Sequence, residues 1–251
     1  MRTHPWFVVF HKEVRDGLRD RRSLFFAMMF CWLGPLLVGM LCRQGPALVL
    51  LPAFLMVTAF TGSMNVANDS MAGERERGSL EPLLMNPVSL SELVLGKWLA
   101  ICAFSLAGVV LTLLVALAVL YATPLHARMH ASALLWMLVV AVPLVPFAAG
   151  LDLLICTFAQ TPKEGTSYLG VVLLAPMLTG MLAEFFPVRL SAAIAAVPLL
   201  GQQRMLSALT RGEIPHIAWL ALSGACAVLL GTAALLATAR LLRYENVVFG
   251  R

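Results

Sequence analysis

Charge is scarce in this chain: 12% of its 251 residues are Asp, Glu, Lys or Arg, whereas soluble domains carry about 25%. With 60% hydrophobic residues and a mean hydropathy of +0.87, a single soluble core is excluded and a bilayer is the expected solvent. Several catalytic signatures are missing as well. The only Gly-Lys pair is Gly96-Lys97; no glycine stands five residues earlier, and Trp98 occupies the Ser/Thr position, so no P-loop is present. Neither HExxH nor GxSxG occurs, which removes the commonest membrane-protease and hydrolase readings. Cys31, Cys42, Cys102, Cys156 and Cys226 sit in or beside apolar runs without the paired spacing of a zinc site or disulfide frame. The first 23 residues have no short apolar core followed by a small-residue cleavage site, so no signal peptide is expected. Without an internal repeat or low-complexity tract, residues 1–251 read as one membrane domain.

Six apolar windows are each long enough to cross a bilayer as a helix: Leu24–Cys42, Ala47–Ala67, Leu93–Tyr121, Ala133–Phe158, Tyr168–Phe186 and Ile217–Ala239. The expected fold is therefore an all-α polytopic membrane protein with six transmembrane helices. Lys and Arg favour the cytoplasmic side. With both termini inside, only Arg43, Arg128, Arg189, Arg204 and Arg211 of the 18 basic residues fall outside. The net charge of +5 is then a topology signal and calls for no nucleic-acid partner.

In the first 23 residues, Phe7, Phe10, Val14 and Leu18 form one helical stripe, and Lys12, Arg15, Arg19 and Arg22 form another. That pattern predicts an amphipathic helix lying in the membrane interface, against lipid, although a solvated basic tail would satisfy the charge rule equally. The short loop RQGP makes the first two windows a tight hairpin. Ser89 to Glu92, SLSE, has the spacing of a capping box and dates the start of the third helix. Lys97 then lies near enough to the interface to snorkel out. Between the fifth and sixth windows, Pro187, Pro198, Gly201, Gly212 and Pro215 break a moderately apolar stretch, which predicts a re-entrant hairpin or short helices in the outer leaflet.

Three polar features need an account. His126 and His130 have the i, i+4 spacing of two metal ligands, but no third ligand is evident and an ordinary external loop is the plainer reading. Asp152 is the one acid well inside an apolar run; it is a candidate for ion binding, gating or a polar contact along a substrate path, or it reaches the headgroups two turns away. Glu184 reads as interfacial. The third feature is AGERERGSLEPLL, where four consecutive charges, Glu74 to Arg77, separate two apolar runs. Gly78-Ser79 breaks the incoming helix, Ser79 can cap a second short helix, and Pro82 fits its first turn. Leu80, Leu83 and Leu84 would share one face of that piece, with Glu74, Arg77 and Glu81 beside it. The elbow suits a protein partner; a solvated turn with local ion pairs is the alternative.

The run ERERGSLEPLLMNPVSLSELVLGKWLA resembles the cytoplasmic segment after the second span of type-2 ABC exporter permeases, especially the NatB-like sodium-extrusion branch. RDGLRDRRSLFF, TFAQTPKEGTSYLG and RLLRYENVVFG extend the resemblance along nearly the whole chain. It implies a permease subunit with no catalytic site or cofactor of its own. Two copies would form a homodimeric path docked on two cytoplasmic ATPase subunits, which would bind ATP and magnesium. Residues 69–91 become the coupling segment, with Glu74, Arg75, Glu76, Arg77, Gly78, Leu80, Glu81, Leu83 and Leu84 at the ATPase interface. The long external segment which that branch carries after its first span is missing here, where Cys42 and Pro46 are almost adjacent, so the resemblance names no substrate. The residues themselves leave two other classes open: a gradient-driven transporter with Asp152 as ion site, and a membrane-embedded enzyme.

Overall fold

The computed structural model describes residues 4–41, 48, 50–79, 89–123, 131–185 and 190–243, and among these it contains no strand. Helix α1 (Pro5–Arg19) is followed by α2 (Arg21–Leu41) and α3 (Leu50–Asn68). The chain of α3 continues through a π-helical turn, Asp69–Gly73, into a last short stretch, Glu74–Glu76. Then come α4 (Leu90–Ala122), α5 (Ala131–Ala141), α6 (Leu144–Cys156), α7 (Pro162–Phe185), the short α8 (Ala192–Ala196) and α9 (Leu200–Thr210), and finally α10 (Ile217–Leu241).

Five helical stretches among the described residues are long and apolar enough to cross a membrane: Leu50–Glu76, Leu90–Ala122, Ser132–Cys156, Pro162–Leu182 and Ile217–Leu241. In α2 the apolar stretch Met28–Leu41 is shorter. Two boundaries differ from expectation. The fourth run, Ser132–Cys156, is interrupted at Val142 and Pro143, where Pro143 has no N–H to continue the ladder, so it is made of two helices in succession, α5 and α6. The fifth helix begins at Pro162, six residues before the expected Tyr168. There Pro162 takes the first helical position, Thr161 Oγ1 accepts from the Glu164 N–H at 3.3 Å, and Glu164 Oε2 accepts from the Gln160 N–H at 2.9 Å. The interrupted stretch after α7 folds as α8 and α9, of which α9 is largely buried. The RQGP loop, the pair His126 and His130, and Leu80, Glu81, Pro82, Leu83 and Leu84 lie outside the described residues, as does the side chain of Glu184.

Helix α3 is the axis of the bundle, packed by α2, α4, α6 and α7. One apolar cluster, centred on Leu55, Phe60, Val109, Met137, Leu144 and Met205, joins α3 to α4, α5, α6 and α9. A second, nearer the elbow, includes Met71, Val94, Ile101, Leu153, Cys156 and Leu169. Helices α6 and α10 approach closely through glycines: a Cβ on Gly150 would lie 2.6 Å from the Gly231 carbonyl oxygen, and one on Gly231 would collide with that of Pro146. In lipid, where apolar burial drives helix pairing little, such backbone contact supplies the packing energy. Gly231→Ala is therefore expected to force the helices apart at a cost of about 1–3 kcal/mol. Thermal unfolding in detergent checks this; an unchanged midpoint would show that the pair does not depend on the contact.

Candidate functional site

The candidate site is the root of the elbow, where the tail of α3 leaves the bundle. The helix ends in a Schellman motif: the Gly78 N–H donates to Arg75 O at 3.0 Å and the Ser79 N–H to Glu74 O at 3.0 Å, with Gly78 at φ +64°. The break expected at Gly78-Ser79 is thus present. The preceding π turn adds a residue to one turn of the helix and rotates everything after it, so the four charges point in directions that an unbroken α-helical phase does not give.

Glu74 turns inward. Only 4% of its surface is exposed, and its carboxylate accepts from Lys97 Nζ at 2.7 Å. Lys97 is 1% exposed and its three donors are all used: Glu74 Oε2, Glu13 Oε1 at 2.8 Å and the Ser70 carbonyl at 2.7 Å. Lys12 closes the group by pairing with Glu13 at 3.2 Å and with Glu74. Burial alone would lower the pKa of the Lys12 ammonium, but the two carboxylates more than reverse this and hold it above its ordinary value. Two ammonium and two carboxylate groups from α1, the α3 tail and α4 thus form a compact neutral cluster. Two expectations are corrected here. Lys97 does not snorkel, because α1 lies across the start of α4 and covers it; Gly96 allows this, since a Cβ there would lie 2.6 Å from the Trp6 carbonyl oxygen. Glu74 is not on the outer surface, because that cluster holds it.

The other three charges divide. Arg75 reaches sideways to the end of α6, donating to the Thr157 carbonyl at 2.9 Å and also to that of Ala159. A cation there meets the negative end of the α6 dipole. Glu76 and Arg77 face outward, and Arg77 Nη1 pairs with Asp69 Oδ1 at 2.9 Å. One turn back, Asn68 Nδ2 donates to the Pro162 carbonyl at 2.9 Å and to Thr166 Oγ1 at 3.1 Å, fastening the start of α7. The tail of α3 is therefore bound to α1, α4, α6 and α7 at once. Ser89 caps α4 with the expected reciprocal box to Glu92.

Asp152 is elsewhere, enclosed between α6 and α3 at 2% exposure, where Oδ2 accepts from Ser63 Oγ at 2.7 Å. It lies on no outer face of the chain, since α3 covers the side of α6 that carries it. No cation among the described residues lies within ion-pair distance of it, and none of these residues form a cluster of three metal-ligating side chains.

Residues 36–220 match the sequence model of the ABC-2 family transporter protein family. The chain belongs to this family. It is also 29% identical over 211 residues to the ABC transporter permease protein NatB of Bacillus subtilis (strain 168), across 79% of this chain and 54% of that protein. The chain thus spans about half the length of the curated relative it matches. As an ABC-2 family chain with several long apolar helices, it is a multi-pass membrane protein. The family match contains Glu74, Lys97 and Asp152 but begins after α1, which contributes Glu13 and Lys12 to the root. Sequence reasoning missed Glu13, one of two acids in the basic helix α1. Its signal was a carboxylate at helical spacing from Val9 and Trp6, on a face of α1 that it shares with Asp16.

Proposed function

We propose that this ABC-2 family chain is the membrane permease subunit of an ATP-driven exporter. In this reading it has six spans with both termini cytoplasmic, lies in the inner membrane, and pairs with a second copy above two ABC ATPase subunits that hold ATP and magnesium. The observation that carries it is the braced root. A segment that receives force from a partner must pass it to several spans, and the α3 tail is tied by Glu74, Arg75 and Asn68 to α1, α4, α6 and α7. Glu76, Arg77 and the segment from Leu80 to Leu84 would then meet the ATPase, the leucines in a cleft and the charges at its rim. Asp152, enclosed against Ser63, acts in this reading as a polar joint between α3 and α6.

Co-expression with an ABC ATPase tests the proposal: a stable complex whose ATP hydrolysis depends on this chain is expected, and failure of every candidate ATPase to associate would sink it. Topology gives a separate check. The basic asymmetry predicts that a cysteine at Ser79 is shielded from an impermeant thiol reagent in intact cells, while one at Ser132 is labelled. The reverse pattern would overturn the orientation.

A further inference from the structure

We propose that the cavity where the end of α9 meets the start of α10 is a binding site for the phosphate headgroup of an anionic phospholipid. It lies apart from the elbow and goes beyond the permease reading, which assigns this end of the bundle no ligand.

The cavity is at the end of the bundle away from the elbow. The last residues of α10, with Ala239 and Leu242, join the cluster that contains Met71, while its first turns, with Trp219 and Leu220, pack on the cluster of Leu55 and Met205. About 400 Å³ of space opens there, within the range of small-ligand pockets. Arg204, Arg211, Glu213 and His216 are its charged and polar lining. In the topology expected from the sequence this end is the external one, so two of the five external arginines gather at one cavity, against the bias that collects Lys and Arg on the cytoplasmic side. Cations placed against that bias call for a local reason.

Arg204, on α9, and Arg211, its C-cap residue, are two turns apart on one face, and Ala208 between them leaves room for a group that both can reach. The helix does not need Arg211 as a cap. Gly212, at φ +82°, closes α9 with backbone bonds, its own N–H donating to Leu209 O at 3.1 Å and the Glu213 N–H to Ala208 O at 3.0 Å. Nor does a tight ion pair hold the guanidinium, because Glu213 is 3.9 Å away and both side chains are at least half exposed. His216 Nδ1 accepts from the Ala218 N–H at 3.3 Å, so the neutral ring carries its proton on Nε2 and is a donor there. Two guanidinium groups and an imidazole N–H are thus set against one carboxylate, beside the positive end of the 25-residue α10. The balance favours an anion.

The forked donors of arginine match the oxygens of a phosphate. The rest of the lining selects a lipid as its carrier. Leu190, Met205, Ile214 and Trp219 form the apolar wall, and Trp219 is seated on the core cluster, as tryptophans at a membrane–water boundary are anchored on one side and wet on the other. Ile214 is 68% exposed and Ile217, the first residue of α10, 71%, so apolar surface continues outward from the cavity. A soluble phosphate would leave that border bare. The glycerol and first methylenes of a phospholipid would cover it while the phosphate sits between the arginines.

Quenching of Trp219 fluorescence by brominated lipid tests the site. The full chain, with Trp6, Trp32, Trp98 and Trp136 replaced by phenylalanine, is placed in phosphatidylcholine nanodiscs, which expose both faces and need no ATPase, so the outcome is independent of the permease reading. Phosphatidylglycerol brominated near the glycerol end of its chains is expected to reach half-maximal quenching at about a tenfold lower mole fraction than phosphatidylcholine brominated alike, the gain two cations at a membrane surface supply. Arg204→Gln with Arg211→Gln should make the two lipids equal, whereas Glu213→Gln, which removes the competing carboxylate, should widen the preference. High salt should narrow it in the parent chain, a check that needs no folded double variant. Equal quenching by both lipids in the parent chain, or a preference that survives the double variant, would overturn the site. Exchanging chloride for millimolar inorganic phosphate at constant ionic strength should leave the quenching unchanged; if it displaces the brominated lipid, the cavity binds soluble phosphate and the lipid assignment is wrong.

Discussion

Lys97→Met is expected to lower the thermal unfolding midpoint more than any other single change at the elbow root, and to abolish ATP hydrolysis that depends on the chain. The methionine nearly fills the space of the lysine stem but leaves the Glu13 and Glu74 carboxylates buried with only the half-exposed Lys12 between them. Removing one partner from a buried charge group costs about 3–5 kcal/mol, because the remaining charge has neither water nor a counterion. The same reasoning predicts rescue. Lys97→Met with Glu74→Gln restores neutrality, and should recover most of the lost midpoint. A single variant as stable as the parent, measured by fluorescence-detected size exclusion after heating, would show that the cluster contributes nothing to holding the root.

Leu83→Asp is expected to abolish association with the ATPase while leaving membrane insertion intact. If the leucine face following the elbow fills a cleft on the partner, an unpaired carboxylate would be buried there. A central contact of this kind is worth about 2–4 kcal/mol, which is on the order of 30- to 1000-fold in affinity. Arg77→Glu should act differently. Its side chain is exposed and already pairs with Asp69, so the change should weaken assembly by no more than about 1 kcal/mol and more at low than at high salt. Co-purification at two salt concentrations reads both. Full complex and full coupled hydrolysis with Leu83→Asp would remove the elbow from the interface.

The helices were legible because in lipid an apolar run and its caps are local facts. Ile217 begins α10 as expected, Ser89 and Glu92 cap α4 as a box, and Gly78 ends the α3 tail. The start of α7 was legible too but passed over, since Thr161 to Glu164 has the same S/T-x-x-E spacing as the box that was read. Other features depend on tertiary contact. Lys97 looks like a snorkelling residue until α1 is laid over Gly96, and nothing local in HKEVRD pairs Glu13 with a lysine far along the chain. The π turn rotates the charged run by an amount that no periodicity in the run announces. Asp152 stands out in the sequence as an acid inside an apolar run, yet its partner, Ser63, is an ordinary small residue on another span.

The cover that α1 forms over Lys97 has a consequence for biosynthesis. Glu13 and Lys97 are 84 positions apart, so at translation rates of 5–20 residues per second the first helix waits roughly 4–17 s for its counter-charge to be made. During that interval Glu13 and the face that will meet α4 have no seat. A helix made before its partners is thus among the later ones to be locked in place, and a chain interrupted before α4 leaves α1 without the lysine that covers Glu13.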